Sequence, residues 1–426
     1  MGYSRSLLFT GIVGNILEWY DFIIYGYFAS QFAKLFFPAS DPVVSLILSF
    51  STFAMGFFAR PIGAFFIGYL GDRKGRKPAL LVSIILMAIP SFLIIFLPTY
   101  ETIGILAPIL LTLLRLLQGF SAGGEYTTSI AFLLEHSSPD KRGLWSSVNL
   151  FGAILGILLG SLSATLLHSV LDQTSLERYG WRLAYLPTIF LALVGYVIRK
   201  HTYETPAFLK AQLSPLRGFP LMYALKHCPR SFFLTILLSM VQGVAFYILF
   251  VYFPTYFSRY LKLSADQALI SNTLAMALLC ALILPCAYLS DRIGRKPLLV
   301  FSLSLYAGLS FWLNKLLTIS SFKEIVFIHL LFALISGFFM SILPVTLAEL
   351  FPVKIRSTSL AVLYNVSLAI FGGTAPMLAT YLVEKVNLPL FPGLYLSLTT
   401  AFVFLIVLIF LPETHPLKSK GIAQRS

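Results

Sequence analysis

Apolar stretches long enough to cross a bilayer recur along the whole chain, separated by short polar turns. They lie near residues 7–33, 44–70, 78–97, 104–134, 144–171 and 183–199, and again near 231–257, 268–289, 298–318, 324–348, 358–384 and 393–412. About 20 apolar residues rising ~1.5 Å each span the hydrocarbon core of a membrane. With 58% hydrophobic and only 11% charged residues, the composition is far from that of a soluble globule, so any function must operate inside a bilayer. The expected fold is an all-α membrane protein of twelve transmembrane helices in two pseudo-symmetric six-helix bundles.

The two sets of six are tied together by repetition. GYLGDRKGRKP, from Gly68 to Pro78, returns as AYLSDRIGRKP, from Ala287 to Pro297, so that Asp72 and Asp291 stand 219 residues apart. A second pair, EHSSPDKR from Glu135 and ELFPVKIR from Glu349, has an offset of 214. Offsets of half a chain indicate a tandem duplication rather than a short repeat. Six spans per half give both halves the same topology, related by an axis along the membrane normal, with a substrate expected between them at mid-membrane. The expected boundaries are a first bundle over 1–198, a linker over 199–230 containing Pro206, Pro215, Pro220 and Pro229, a second bundle over 231–412 and a tail over 413–426 without heptads.

The net charge of +14 raises the question of a nucleic-acid partner, but the basic residues alternate with the spans. A cytoplasmic amino terminus puts only Lys34, Arg178, Arg182, Arg259, Lys262, Lys315, Lys323 and Lys385 on the outer side, so topology explains the excess and both termini are expected inside. Cys228, Cys280 and Cys286 have no metal-ligand spacing and read as filler thiols. The first apolar run carries Glu18 and Asp21 and lacks a small-residue cleavage site, so it is expected to remain as a helix rather than a signal peptide. GFSAG, from Gly119 to Gly123, fits a hydrolase pattern but lies within a span, and no nucleophile is paired with a base, so no enzyme is expected. The six histidines are scattered, and neither a metal nor another cofactor is expected.

Charges inside the spans carry most of the functional information, because each costs at least ~2.5 kcal/mol at a helix centre unless paired or hydrated. Five qualify: Glu18, Asp21, Arg60, Arg115 and Glu125, all in the first half. Counting ~1.5 Å per residue from the cytoplasmic ends places Glu18, Arg60 and Glu125 at similar depth, with Asp21 and Arg115 deeper. Ionised together, the five leave one carboxylate without a cation, and that group is a candidate proton carrier. The residues leave open which of Glu18, Asp21 and Glu125 it is, and the alternative is a static network joining the first, second and fourth helices. Tyr20, Tyr25, Gln118, Tyr126, Gln242, Tyr247 and Asn365 are candidates for the cavity wall.

In the repeated loops, Asp72 and Asp291 can accept from backbone donors at a helix end, Gly75 and Gly294 permit a tight turn, and Arg73, Arg76, Arg292 and Arg295 can pair with acids. A cytoplasmic latch is expected there; the plainer reading is that the bases only set topology. Gly152, Gly156 and Gly160 form a stripe for close helix packing. Aromatics from Phe246 to Phe257 crowd the seventh segment, where packing or interfacial placement competes with stacking on a solute ammonium group.

With these motifs in place, the chain resembles the major facilitator superfamily and, within it, the metabolite:proton symporter family of proline/betaine, shikimate, citrate and 2-oxoglutarate transporters. The resemblance rests on GNILEWYDF from Gly14, FARPIGAFFIGYLGDRKGRK from Phe58, LLQGFSAGGEYTTS from Leu116, the Arg142–Gly143 and Trp181–Arg182 pairs, and ETPAF from Glu204. FFPASDP from Phe36 brings it nearest the proline/betaine branch. The resemblance implies uptake of a small carboxylate or zwitterion, driven by the proton gradient through alternating access, in a bacterial inner membrane. It also implies roles for Glu18, Asp21 and Arg115. Efflux or exchange ranks lower, because the fifth segment lacks the Gly-Pro pair of drug antiporters, and a non-transporting sensor is the alternative from another class.

Overall fold

The computed structural model describes residues 2–40, 42–211, 219–384 and 386–418. Pro215 of the expected linker, Lys385 of the expected outer side and residues 419–426 of the expected tail lie outside the described residues. Twelve long helices occupy the twelve apolar stretches among the described residues. The first six are α1 (Gly2–Tyr27), α2 (Pro42–Arg73), α3 (Arg76–Phe96), α4 (Leu106–His136), α5 (Arg142–Val170) and α6 (Trp181–Lys200). The rest are α7 (Pro229–Arg259), α8 (Ala265–Ile293), α9 (Arg295–Leu317), α10 (Phe322–Glu349), α11 (Arg356–Val383) and α12 (Phe391–Phe410). Among the described residues, eleven helices are long and apolar enough to cross a membrane.

Two compact units result. Unit 1 holds Met1–His136, Val148–Pro220 and Val353–Val362, and unit 2 holds Ser137–Ser147, Leu221–Pro352 and Leu363–Ser426. The first turns of α5 and α11 are thus assigned away from the remainder of their helices, a division that equal halves of the sequence do not suggest. Parts of the stretch expected as linker are helical, at Pro206–Ala211 and Pro220–His227, while Arg199 and Lys200 complete α6.

Within unit 1, α2 and α4 touch backbone to backbone. A Cβ on Gly119 would collide with the carbonyl oxygen of Gly56, and one on Gly123 with that of Arg60, so only glycine allows the approach. Gly156 of the predicted stripe faces the Ile16 carbonyl of α1 in the same way. Beyond α1, the short helix Ala29–Phe36 supplies Phe32 and Phe36, which pack with Tyr25, Trp181 and Tyr185. This aromatic cluster closes the end of unit 1 remote from the Gly75 turn.

In unit 2, α7 and α11 each contain a π-helical turn, Tyr247–Tyr252 and Leu368–Gly372. The two helices meet where Gly243 faces Gly372. A π turn widens the helix and frees it from a strict 3.6 period, a feature that the hydrophobic pattern does not disclose.

Candidate functional site

The buried charges of unit 1 meet around α1. Glu18 and Asp21 stand three apart and so share a helix face. Arg60 of α2 donates from Nη2 to Glu18 Oε1 at 2.5 Å, with both side chains almost wholly buried. Its guanidinium also lies over the Trp19 and Phe22 rings, 5.3 Å from each centroid. The second Glu18 oxygen has no partner among the described residues.

Asp21 is held differently. Its Oδ2 accepts from Ser91 Oγ at 2.9 Å and from the Gln118 amide, while Oδ1 has no partner among the described residues. Gln118 in turn accepts from Arg115 Nη1 at 2.9 Å, so its amide is a bridge between the arginine and the aspartate. Among the described residues no arginine stands within ion-pair distance of Asp21. The Arg115 guanidinium is packed against Phe22 and Tyr25, 4.6 and 4.5 Å from their centroids, and its Nε and Nη2, fully buried, have no hydrogen-bond partner among the described residues. Those two groups form one edge of the guanidinium, the edge that a carboxylate engages with two parallel hydrogen bonds.

Glu125 is saturated by comparison. One oxygen accepts from Arg199 Nη2, the other from Arg199 Nη1 at 3.0 Å and from Ser83 Oγ, and Arg199 Nη1 also donates to the Leu80 carbonyl at 2.7 Å. Arg199 is the cation that sequence reasoning missed; read as part of a basic linker, it is 1% exposed within α6. Its presence changes the charge count: three carboxylates and three arginines balance, so no carboxylate is left over by number. What distinguishes them is pairing, because Asp21 alone of the three reaches its arginine only through an amide.

The proposed cavity residues are spread more widely. Tyr20 donates to the Ala184 carbonyl at 2.9 Å and Tyr25 to the Ser49 carbonyl at 3.1 Å, both within helix packing, and Tyr126 is buried on α4. Gln242 and Asn365 are buried in unit 2, and Tyr247 is half-buried at the start of the π turn in α7. The aromatic crowd of α7 turns inward: Phe250, Phe253 and Phe257 surround His329 at 6.0, 5.6 and 5.4 Å. His329 Nε2 lies 2.9 Å from the Leu249 carbonyl, which can only accept, so Nδ1 accepts from Ser271 at 3.0 Å.

The duplicated loops build two matching carboxylate clamps, one in each unit. In unit 1, Asp72 accepts from the backbone N–H groups of Ser357 and Thr358 at 3.0 and 2.8 Å, at the start of α11. In unit 2, Asp291 accepts from Gly143 and Leu144 at 2.7 and 2.9 Å, at the start of α5. Helix amino termini present unpaired N–H groups and positive potential, so each carboxylate is a cap. Arg76 joins Asp72 to Glu135 at 3.1 and 2.9 Å, and Arg295 joins Asp291 to Glu349 at 2.8 and 3.4 Å. Arg356 adds a second contact to Glu135 at 2.9 Å. Arg73 and Arg292 instead extend over Tyr69 and Tyr288.

A further duplicated element escaped the sequence reading. Glu204 accepts from Arg76 and Lys77 N–H, both at 3.0 Å, and Glu413 accepts from Arg295 and Lys296 N–H at 3.0 and 3.2 Å. The adjoining Thr205 and Thr414 donate to Glu135 and Glu349 at 2.6 and 2.8 Å. Gly75 and Gly294, at φ of 114° and 116°, make the turns that bring these acids to the helix starts; a Cβ at either would meet the glutamate carboxylate. The signal was the Glu-Thr dipeptide after each bundle.

Matching carboxylate clamps in the two units, with a buried charge network inside unit 1, are features of a major facilitator transporter. The sugar (and other) transporter family model matches residues 7–214 and 221–424, and the chain belongs to that family; it is a multi-pass membrane transporter, not an enzyme. The proline/betaine transporter of Salmonella typhimurium is 36% identical over 433 residues, 98% of this chain and 85% of the relative. The glycine betaine/proline/ectoine/pipecolic acid transporter OusA of Dickeya dadantii is 35% identical, over 99% of this chain and 85% of the relative. Among solved structures, the major facilitator superfamily proton:xylose symporter XylE bound to 6-bromo-6-deoxy-D-glucose aligns with a TM-score of 0.82 at 19% identity, covering 97% of each chain. A partially occluded inward-open XylE from E. coli gives 0.72, covering 97% and 99%.

Proposed function

We propose that this protein is a proton-coupled symporter that imports a small zwitterionic or carboxylate solute of the proline/betaine kind by alternating access. The observation that carries the reading is the pair Arg115 and Asp21 joined through Gln118: an unfilled guanidinium edge beside a carboxylate with one free oxygen. Arg115 would receive the solute carboxylate in a bidentate pair. Asp21, without an arginine of its own, would take and release the proton, and a shift of the Gln118 amide would let each event sense the other. The names of the relatives support the solute class. The proton gradient is the energy source and no cofactor is called for.

The reading extends to the rest of the molecule. Release of the Asp72 and Asp291 caps from the starts of α11 and α5 would accompany the change in access, with the bundles over 1–198 and 231–412 as the moving bodies. The membrane is the bacterial inner membrane, with both termini cytoplasmic, in line with the distribution of Lys and Arg. The test is proteoliposome uptake of radiolabelled proline and glycine betaine with a pH-sensitive dye inside. Wild type should accumulate solute and acidify the lumen; Asp21→Asn should lose accumulation while keeping solute counterflow. Concentrative uptake by Asp21→Asn, or by wild type with no proton movement, would refute the reading.

A further inference from the structure

His329 is fully buried in unit 2 and has no part in the solute and proton steps proposed above. It joins three helices, standing near the start of α10 and touching α8 through Ser271 and α7 through the Leu249 carbonyl. The Gly294 turn and Glu349 lie at the far ends of α8 and α10, so the histidine sits at the end of the unit remote from the carboxylate clamp. Its neighbour on α7 is the π turn Tyr247–Tyr252.

Accounting for the backbone bonds of that turn shows why a side chain is needed. A carbonyl accepts from the N–H four residues on in an α-helix and five residues on in a π turn. For Leu249 those positions are 253 and 254. Phe253 N–H is committed to the Ile248 carbonyl, five residues back. Position 254 is proline, which has no N–H to give. The Leu249 carbonyl therefore receives neither helical donor, although its residue is fully buried, where an unpaired carbonyl is costly. His329 Nε2, 2.9 Å away, supplies the missing proton. Ser271 donates to Nδ1 at 3.0 Å, which keeps the imidazole proton on Nε2.

The Leu249 carbonyl is thus contested by two registers. If Phe253 N–H moves from Ile248 to Leu249, the turn becomes α-helical, the backbone satisfies the carbonyl and His329 is released. The segment Phe253–Arg259 then turns relative to Tyr247, whose ring lies where a Cβ on Gly372 of α11 would be. We propose that His329 is a positioning residue that selects the π register of α7, and that its release lets α7 take the α register as access changes. The link to access rests on the transport reading above; the selection of the register does not.

The experiment is hydrogen-exchange mass spectrometry of the full chain in phosphatidylcholine nanodiscs, over peptides spanning 247–259, with proline uptake by proteoliposomes beside it. His329→Leu removes the donor and should speed exchange in the turn about tenfold, the size of one net hydrogen bond. His329→Gln keeps an amide donor and should exchange like wild type. Pro254→Ala, which returns an N–H five residues from Leu249, should slow exchange by holding the π register from within the helix. In uptake, His329→Leu and Pro254→Ala push the register in opposite directions, so each should lower Vmax about tenfold while KM stays within about twofold, no solute contact being removed. The double variant His329→Leu/Pro254→Ala should recover most of Vmax, a mutual compensation that a merely structural histidine does not give. Exchange in His329→Leu equal to wild type overturns the proposal, as do losses of Vmax that add in the double variant. If His329→Leu fails to fold, unchanged exchange in Pro254→Ala overturns it instead. A wild type that accumulates no proline removes the transport reading, while opposed exchange shifts in the two single variants would still establish the register selection.

Discussion

Removing the charge of Glu125 tests whether the newly seen pair with Arg199 holds unit 1 together. In Glu125→Gln the Arg199 guanidinium stays 1% exposed between α3, α4 and α6, keeping its bond to the Leu80 carbonyl but losing its counter-charge. Breaking a buried ion pair from one side costs about 3–5 kcal/mol, because an uncompensated charge remains. At roughly 2–4 °C per kcal/mol for a unit of this size, the melting temperature should fall by on the order of 10 °C. The double variant Glu125→Gln/Arg199→Met removes both charges and should recover most of the loss, since an apolar replacement of a buried pair is often close to neutral. The assay is thermal unfolding in detergent, followed by tryptophan fluorescence and completed as a double-mutant cycle with Arg199→Met alone. A fall below ~2 °C in the single variant, or a double variant no better than the worse single, would refute the argument and return Arg199 to the role of a topology determinant.

Other outcomes follow from the same geometry. Gly119→Ala should force α2 and α4 apart and unfold the protein or lower its melting temperature steeply, whereas Gly308→Ala, whose Cβ meets nothing within 4 Å, should leave it unchanged. Asp72→Ala removes the cap of α11 together with one partner of the buried Arg76, and Asp291→Ala the cap of α5 together with one partner of the buried Arg295, so each should cost more than the about 1 kcal/mol of a cap alone, read by thermal unfolding. Thr414→Val should loosen the segment after α12, which limited proteolysis detects as faster cleavage. His415, which donates to the Asp291 carbonyl and accepts from Leu417 N–H, has its imidazole pushed below its ordinary 6.5 by burial and then by the charge of Arg295. Its neutral form belongs to the docked tail, so the tail's stability is full above about pH 6.5 and is lost as pH falls through the lowered folded value. Proteolysis of the tail should therefore quicken in mild acid, and His415→Gln should flatten that dependence.

Much of this was legible because a membrane makes polar residues expensive. Glu18, Asp21, Arg60, Arg115 and Glu125 stood out against apolar surroundings, and the structure buries all five in unit 1 in three groups, Glu18 with Arg60, Asp21 with Arg115 through Gln118, and Glu125 with Arg199. Arg199 was hidden by its neighbour: next to Lys200 at the end of a span it reads as one of two topology-setting bases, and only the helix face separates the buried arginine from the exposed lysine. Ser83 and Ser91, which hold Glu125 and Asp21, lie two turns apart on one face of α3, but a serine in a span is too common to signal a contact. The clamps were half visible, since Asp72 and Asp291 sit in a long repeated motif whereas Glu204-Thr205 and Glu413-Thr414 repeat as dipeptides. The π turns had no sequence signal, because a single widened turn leaves the apolar pattern almost unchanged.

The glycine seam between α2 and α4 sets a fixed ruler inside unit 1. Arg60 is carried by one helix, Arg115, Gln118 and Glu125 by the other, and with Gly119 and Gly123 pressed on the facing backbone neither helix can slide without a collision. The seam thereby sets the spacing of Arg60, Arg115 and Glu125. Under the proposed function, adjustment would fall to what is not riveted, the Gln118 amide and the α1 side chains Glu18 and Asp21, so an arriving solute or proton would be registered as an exchange of partners at constant distance.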